Sequence, residues 1–277
     1  NDAGHSVGDG FPVRSLFNYQ GDTQLISPFL VFDFAGPRTF EPREGRPRGV
    51  GQHPHRGFET VTIVYDGEVS HRDSTGGGGT IGAGEVQWMT AGAGIVHEEF
   101  HSPEYSRTGG PFQMVQLWVN LPRAHKMTAP GYQAITRDTI PDVSLDGGRL
   151  RVIAGAYGNT NGPAQTFTPV NLWDVRLTAG ANETLPLPEG HTSMIAVLSG
   201  TITVDGKRIT EAELARFSVD DDGVTVMADT DAVLLVLTGE PIDEPVFGHG
   251  PFVMNSEAEI RQAFTDLQSG RFGAMGA

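Results

Sequence analysis

The chain has 277 residues, no cysteine, 37 glycines, 18 prolines and a formal net charge of −15 at pH 7. That charge works against a general grip on nucleic acid, whose phosphates call for a basic stripe, and no apolar run is long enough for a membrane span. Without thiolates, disulfides are excluded and any metal must be held by imidazole and carboxylate.

The length suits one large domain or two ordinary ones. No secretory leader is visible, although the sequence starts at Asn1, and the expected location is the cytoplasm. Apolar, β-branched runs predict strands at 29–34, 59–65, 85–89, 115–119, 150–154, 171–177, 194–198, 201–204, 224–227 and 232–237. Turn signals separate them at Asp66-Gly67, Gly76 to Gly79, Gly82-Ala83-Gly84, Asp205-Gly206 and Asp222-Gly223. Short strands at this spacing predict an all-β chain of sandwiches or barrels. The stretch 61–69 is echoed at 195–202: a hydrophobic strand turns at glycine into a second β-run. Two copies of one barrel explain the length. The expected division is a first barrel over 1–130, a crossover linker over 131–150 and a second barrel over 151–277. A helix closes that last segment: Ser256 is a natural N-cap, Glu259 completes a capping box, Ile260, Phe264 and Leu267 share a face, and Gly270 stops it.

The chemistry concentrates in His53-Pro54-His55-Arg56-Gly57-Phe58-Glu59 and, some forty residues later, His97-Glu98-Glu99. Alternate residues of a strand share a face. His53, His55 and Glu59 are therefore expected on one face, and His97 and Glu99 on another. Strands paired across a barrel bring three imidazoles and a carboxylate to one point, a set suited to first-row transition metals. Spacing alone leaves open whether Glu59 or Glu99 completes it. His5, His125 and His249 read as structural or solvated, and His71 and His101 as weaker pocket or surface candidates. At the position echoing the His-x-His strand the second half offers Gly190-His191-Thr192-Ser193, a single His, and no His occurs between Thr192 and Pro245, so it cannot repeat the site.

His-x-His followed by Glu, then Gly82-x-Gly84 and a further His, resembles the cupin barrel. The blocks 53–62, 87–92, 95–99, 116–121, 250–255 and 269–272 resemble, more narrowly, the pirin family of bicupins. The resemblance implies two tandem cupin jelly-roll barrels with a short C-terminal helix. It implies a metal in the first barrel, iron(II) first, with nickel, copper, manganese and zinc also compatible, held by His53, His55, His97 and Glu99. Glu59 then stands behind the ligands, and a catalytic role is expected for Glu99 and Glu59 as proton acceptors. Quercetin 2,3-dioxygenase chemistry is the implied activity, with a flavonol and O2 as substrates. Phe58, Met89, Phe112, Gln113, Gln116 and Trp118 are the expected substrate pocket. The alternative reading is a non-enzymatic, iron-dependent regulator that binds a transcription factor or a metabolic enzyme.

Overall fold

Among residues 4–276, which the computed structural model describes, the first half folds into eleven strands. They are β1 (His5–Val7), β2 (Phe11–Asn18), β3 (Phe29–Phe40), β4 (Gly49–His55), β5 (Phe58–Asp66), β6 (Glu68–Asp73), β7 (Gly78–Gly82), β8 (Val86–Thr90) and β9 (Ile95–His101), then β10 (Gly110–Asn120) and β11 (Gly131–Ile135). A short helix, α1 (Pro103–Thr108), separates β9 from β10. One antiparallel sheet runs β1-β2-β3-β10-β5-β8-β11 and the other β4-β9-β6-β7. The two sheets form the jelly roll that the alternation of apolar residues predicts.

The second unit has its own pair of sheets. Six strands run in the order Asp142–Leu145, Gly148–Ala154, Val170–Leu177, Ala232–Gly239, Thr192–Ser199 and Leu214–Arg216. Four run Asn182–Pro186, Gly223–Ala228, Thr201–Val204 and Lys207–Thr210. The smaller sheet has the order of β4-β9-β6-β7, so the internal echo is a repeat of architecture. Its interior is apolar, with Leu150, Val152, Trp173, Ile195, Val197, Val226, Leu234 and Val236 in one cluster.

The boundaries drawn from sequence differ from the chain's packing in two places. The expected linker is largely structured: β11 pairs with β8 at the edge of the first barrel, and Asp142–Leu145 pairs with Gly148–Ala154 in the second. The C-terminal segment, expected with the second barrel, groups with the first from Asp243 onward. Its helix, α2 (Glu257–Gln268), is capped by the Ser256 hydroxyl as expected. Ile260 and Ala263 bury their stripe with Phe252, Met254 and Phe272, and Val96 of β9 packs against this cluster.

Polar ties fix the segment beside the His-x-His strand. Arg56 reaches Asp266 at 2.9 Å and the Ala93 carbonyl at 2.7 Å, and lies over the Phe272 ring. Buried Lys126 donates to the carbonyls of Gly57 and Val253 and to Asn120 Oδ1, at 2.8, 2.9 and 2.6 Å. Gly57, with φ of 91°, turns the chain between β4 and β5. A Cβ there would lie 2.0 Å from the Val253 carbonyl oxygen, so only glycine admits this approach.

Candidate metal centre

Register brings the histidines together. On β4 and β9 His53 stands opposite His97; on β6 and β9 His71 stands opposite Glu99 and Asp73 opposite His97. The two-residue period of a strand then turns His97, Glu99 and His101 to one face. Ring centroids of His53, His55 and His97 lie 4.2–4.9 Å apart, and each of the three offers a nitrogen within 4.8 Å of the others. His71, His97 and Glu99 meet the same condition, so His97 is shared by two groups.

The donor set fits a divalent first-row ion. His53 Nδ1 is 2.8 Å from the Gly51 carbonyl, which takes its N–H and leaves Nε2 bare. His55 Nδ1 and His97 Nε2 are buried with no hydrogen-bond partner, a costly state unless something accepts their lone pairs. Burial first, then the neighbouring imidazoles, pushes the pKa of both His55 and His97 well below the ordinary value. Both rings are therefore neutral at pH 7, the form a metal takes up.

Glu99 is held from three sides. Its Oε1 accepts from Gln87 Nε2 at 2.6 Å and Thr62 Oγ1 at 3.3 Å, and its Oε2 from Gln116 Nε2 at 3.2 Å. The Tyr132 hydroxyl donates to Gln87 Oε1 at 3.3 Å, which turns the amide N–H toward Glu99. Thr62, Gln87 and Tyr132 were not singled out from sequence. Their signal was parity on β5, β8 and β11, readable only once β5 pairs with β10 and β8, and β8 with β11.

Glu59 takes no part in this cluster. Arg56-Gly57 breaks the strand, so Glu59 starts a different sheet from His53 and His55. It precedes Thr62 by three positions, an odd offset, so the pleat turns it to the opposite face. It accepts from Thr90 Oγ1 at 2.7 Å instead. Burial raises its pKa to about 7. The shared face expected for His53, His55 and Glu59 is corrected accordingly.

The expected pocket residues divide. Phe58 and Trp118 stack at 4.2 Å, and each lies 5.2 Å from the His55 ring. Met89 packs with Ala91, Ile95 and Tyr132, and Gln116 touches Glu99. Phe112 belongs elsewhere, in the apolar core with Phe11, Phe40 and Tyr105. Gln113 stands at a bulge opposite Asp66, about 10 Å along β10 from Gln116 at strand rise. His101 is structural too: its Nε2 donates to the Gly10 carbonyl at 2.9 Å and its ring stacks on Phe112 at 4.7 Å. Glu98 faces away, as alternation requires, and pairs with Arg72 at 2.9 Å.

Among the described residues no helix is long and apolar enough to cross a membrane. The pirin family model matches residues 10–119, and that of the pirin C-terminal cupin domain matches 172–273. A Pseudomonas aeruginosa protein named "Putative quercetin 2,3-dioxygenase" is 57% identical over 270 residues, 97% of this chain and 94% of that protein. Human pirin is 36% identical over 280 residues, 97% of this chain and 90% of its own length. The crystal structure of quercetin 2,3-dioxygenase from Acinetobacter baumannii is 53% identical with a TM-score of 0.96, covering 99% of this chain and 96% of that one.

Proposed function

The chain belongs to the pirin family, and from that premise we propose that it is a metal-dependent dioxygenase opening flavonols such as quercetin with O2. The observation that carries the reading is the convergence of three imidazoles beside a carboxylate held by three donors. The names of the Pseudomonas and Acinetobacter proteins, which align over nearly the whole chain, supply the substrate class.

His53, His55, His97 and Glu99 would hold the ion, iron(II) first among the candidates. When bound, such an ion supplies Lewis acidity and redox capacity toward O2. The remaining work falls to the protein. Glu99 accepts the flavonol 3-hydroxyl proton at Oε2, the oxygen with a single donor on it. Gln87, Thr62 and Gln116 hold that carboxylate in place, so its aim needs no reorganisation during the reaction. Phe58 and Trp118 give a flat ring an apolar wall beside His55 and keep water from the cleaved bond. Both oxygen atoms of O2 enter the ring-opened product, and the carbon bearing the hydroxyl leaves as carbon monoxide.

The test is direct. Iron(II)-loaded protein given quercetin and air should bleach the flavonol with matching O2 uptake and carbon monoxide release. Loaded protein that does none of these rules out the enzyme and leaves the non-enzymatic regulator as the reading to pursue.

A further inference from the structure

Two of the three clustered imidazoles have a backbone partner: His53 the Gly51 carbonyl, His55 the backbone of Pro251. His97 is different. Its Nδ1 meets another ring nitrogen, Nδ1 of His71, at 3.2 Å. An imidazole nitrogen can donate or accept, so that contact alone does not say which ring carries the proton.

The far side of His71 decides it. His71 Nε2 lies 3.1 Å from Asp73 Oδ2, with both side chains almost wholly enclosed. Burial works to raise the Asp73 pKa, but hydrogen bonds from His71 and Thr75 outweigh it and hold the value at about 2. A carboxylate only accepts. His71 therefore carries a proton on Nε2, and as a neutral ring it presents a bare Nδ1 that takes the Nδ1 proton of His97. The lone pair of His97 is left on Nε2, the buried nitrogen with no partner.

We infer that Asp73, acting through His71, is a positioning residue that fixes His97 in the tautomer whose Nε2 can bind a metal ion. This rests on the metal reading above. The arrangement extends the familiar pattern in which a ligating histidine donates its other N–H to a carboxylate, with one imidazole interposed. Tyr132 stacks on His71 at 5.0 Å and holds the intermediate ring in plane.

Asp73→Asn is a sharp probe because the loop dictates how the amide sits. Asp73 Oδ1 accepts from Thr75 N, Thr75 Oγ1 and Gly77 N at 2.8, 2.6 and 3.1 Å. The asparagine oxygen must stay there, so its NH2 faces His71 Nε2. Donation to that nitrogen moves the His71 proton to Nδ1, and the His97 proton in turn to Nε2. Nickel(II) titration of the metal-free proteins should then show affinity 10–100-fold below the parent, the range for such supporting groups, at an unchanged metal-free melting temperature. Equal affinity for nickel in both proteins would overturn the inference.

Long-range proton–nitrogen spectra of the metal-free parent, labelled at histidine, give a second reading that needs no variant. His97 protonated at Nδ1 and His71 at Nε2 are expected. His97 protonated at Nε2, or His71 protonated at both nitrogens, would overturn the assignment. If His55→Ala binds nickel as the parent does, the metal reading fails by itself, while the nitrogen shifts still decide the tautomers.

Discussion

The two barrels share a strand order and fill it with opposite chemistry. In the first, the small sheet and its neighbours turn His53, His97, Glu99, His71, Asp73, Thr62, Gln87 and Gln116 toward one another. In the second, the strands in the corresponding places present Leu185, Val224, Val226, Ile202, Val204, Val197 and Val236, all buried in one apolar cluster. Burying a polar group without a partner costs about 1–3 kcal/mol, so a barrel that only had to fold would take the second solution. The first tolerates its polar interior because nearly every donor and acceptor there is matched. Within the histidine cluster, His55 Nδ1 and His97 Nε2 are left unmatched, and these are where an ion would sit. The scaffold is common to both halves, and the site is a matter of side chains placed on it.

Four experiments bear on that contrast. The largest effect is expected from His55→Ala, which removes one of the three imidazoles: metal analysis should find the ion lost and quercetin turnover abolished, with the metal-free circular dichroism spectrum intact. Stoichiometric metal in that variant would dissolve the distinction between the barrels.

Next is Lys126→Met, which leaves the Gly57 and Val253 carbonyls and Asn120 Oδ1 without their buried donor. Urea unfolding should show a loss of about 2–4 kcal/mol. A loss under ~0.5 kcal/mol would mean that the first barrel does not depend on its C-terminal strap.

Glu59→Gln separates the two buried acids of the first barrel. Glu99 has three side-chain donors; Glu59 has the Thr90 hydroxyl and a pKa raised to about 7 from 4.5. Because the folded value is the higher one, the folded state holds the proton more tightly, and wild-type stability falls as pH rises from about 4.5 to 7. The glutamine variant is free of that loss. Its stability relative to wild type should grow between pH 5 and pH 8 by on the order of 2 kcal/mol, and a difference independent of pH would show that Glu59 does not titrate in this window.

The smallest effect belongs to the second barrel. Val226→Thr puts a hydroxyl into an interior without partners and should cost about 1–2 kcal/mol in chemical unfolding while leaving metal content untouched. A neutral result would show that the second interior can accept polar groups as the first does.

The ten strands predicted from apolar runs all exist, as does the capped helix, because alternation and capping are local properties that a few neighbouring residues fix. The echo between 61–69 and 195–202 is also real: Gly67 and Gly200, with φ of 85° and 81°, make the same turn in the two barrels. The counterpart of β4 in the second barrel is Asn182–Pro186 and not the segment at His191; His191 leads into Thr192–Ser199, the counterpart of β5, and lies against Thr238 Oγ1 at 3.3 Å.

What the sequence determined by itself was therefore the all-β architecture, its duplication, and the imidazoles and carboxylates available to a site in the first half. Register was decided only in three dimensions. A one-residue change of parity sends a side chain to the other face of a sheet, and the break at Arg56-Gly57 sent Glu59 away from His53 and His55 while strand pairing brought His71, only a weak candidate in sequence, and Asp73, not singled out there, behind His97. The home of the C-terminal helix was decided there too. An apolar stripe specifies that a helix must dock, whereas the surface that receives it depends on shape and on distant partners such as Arg56 and Lys126.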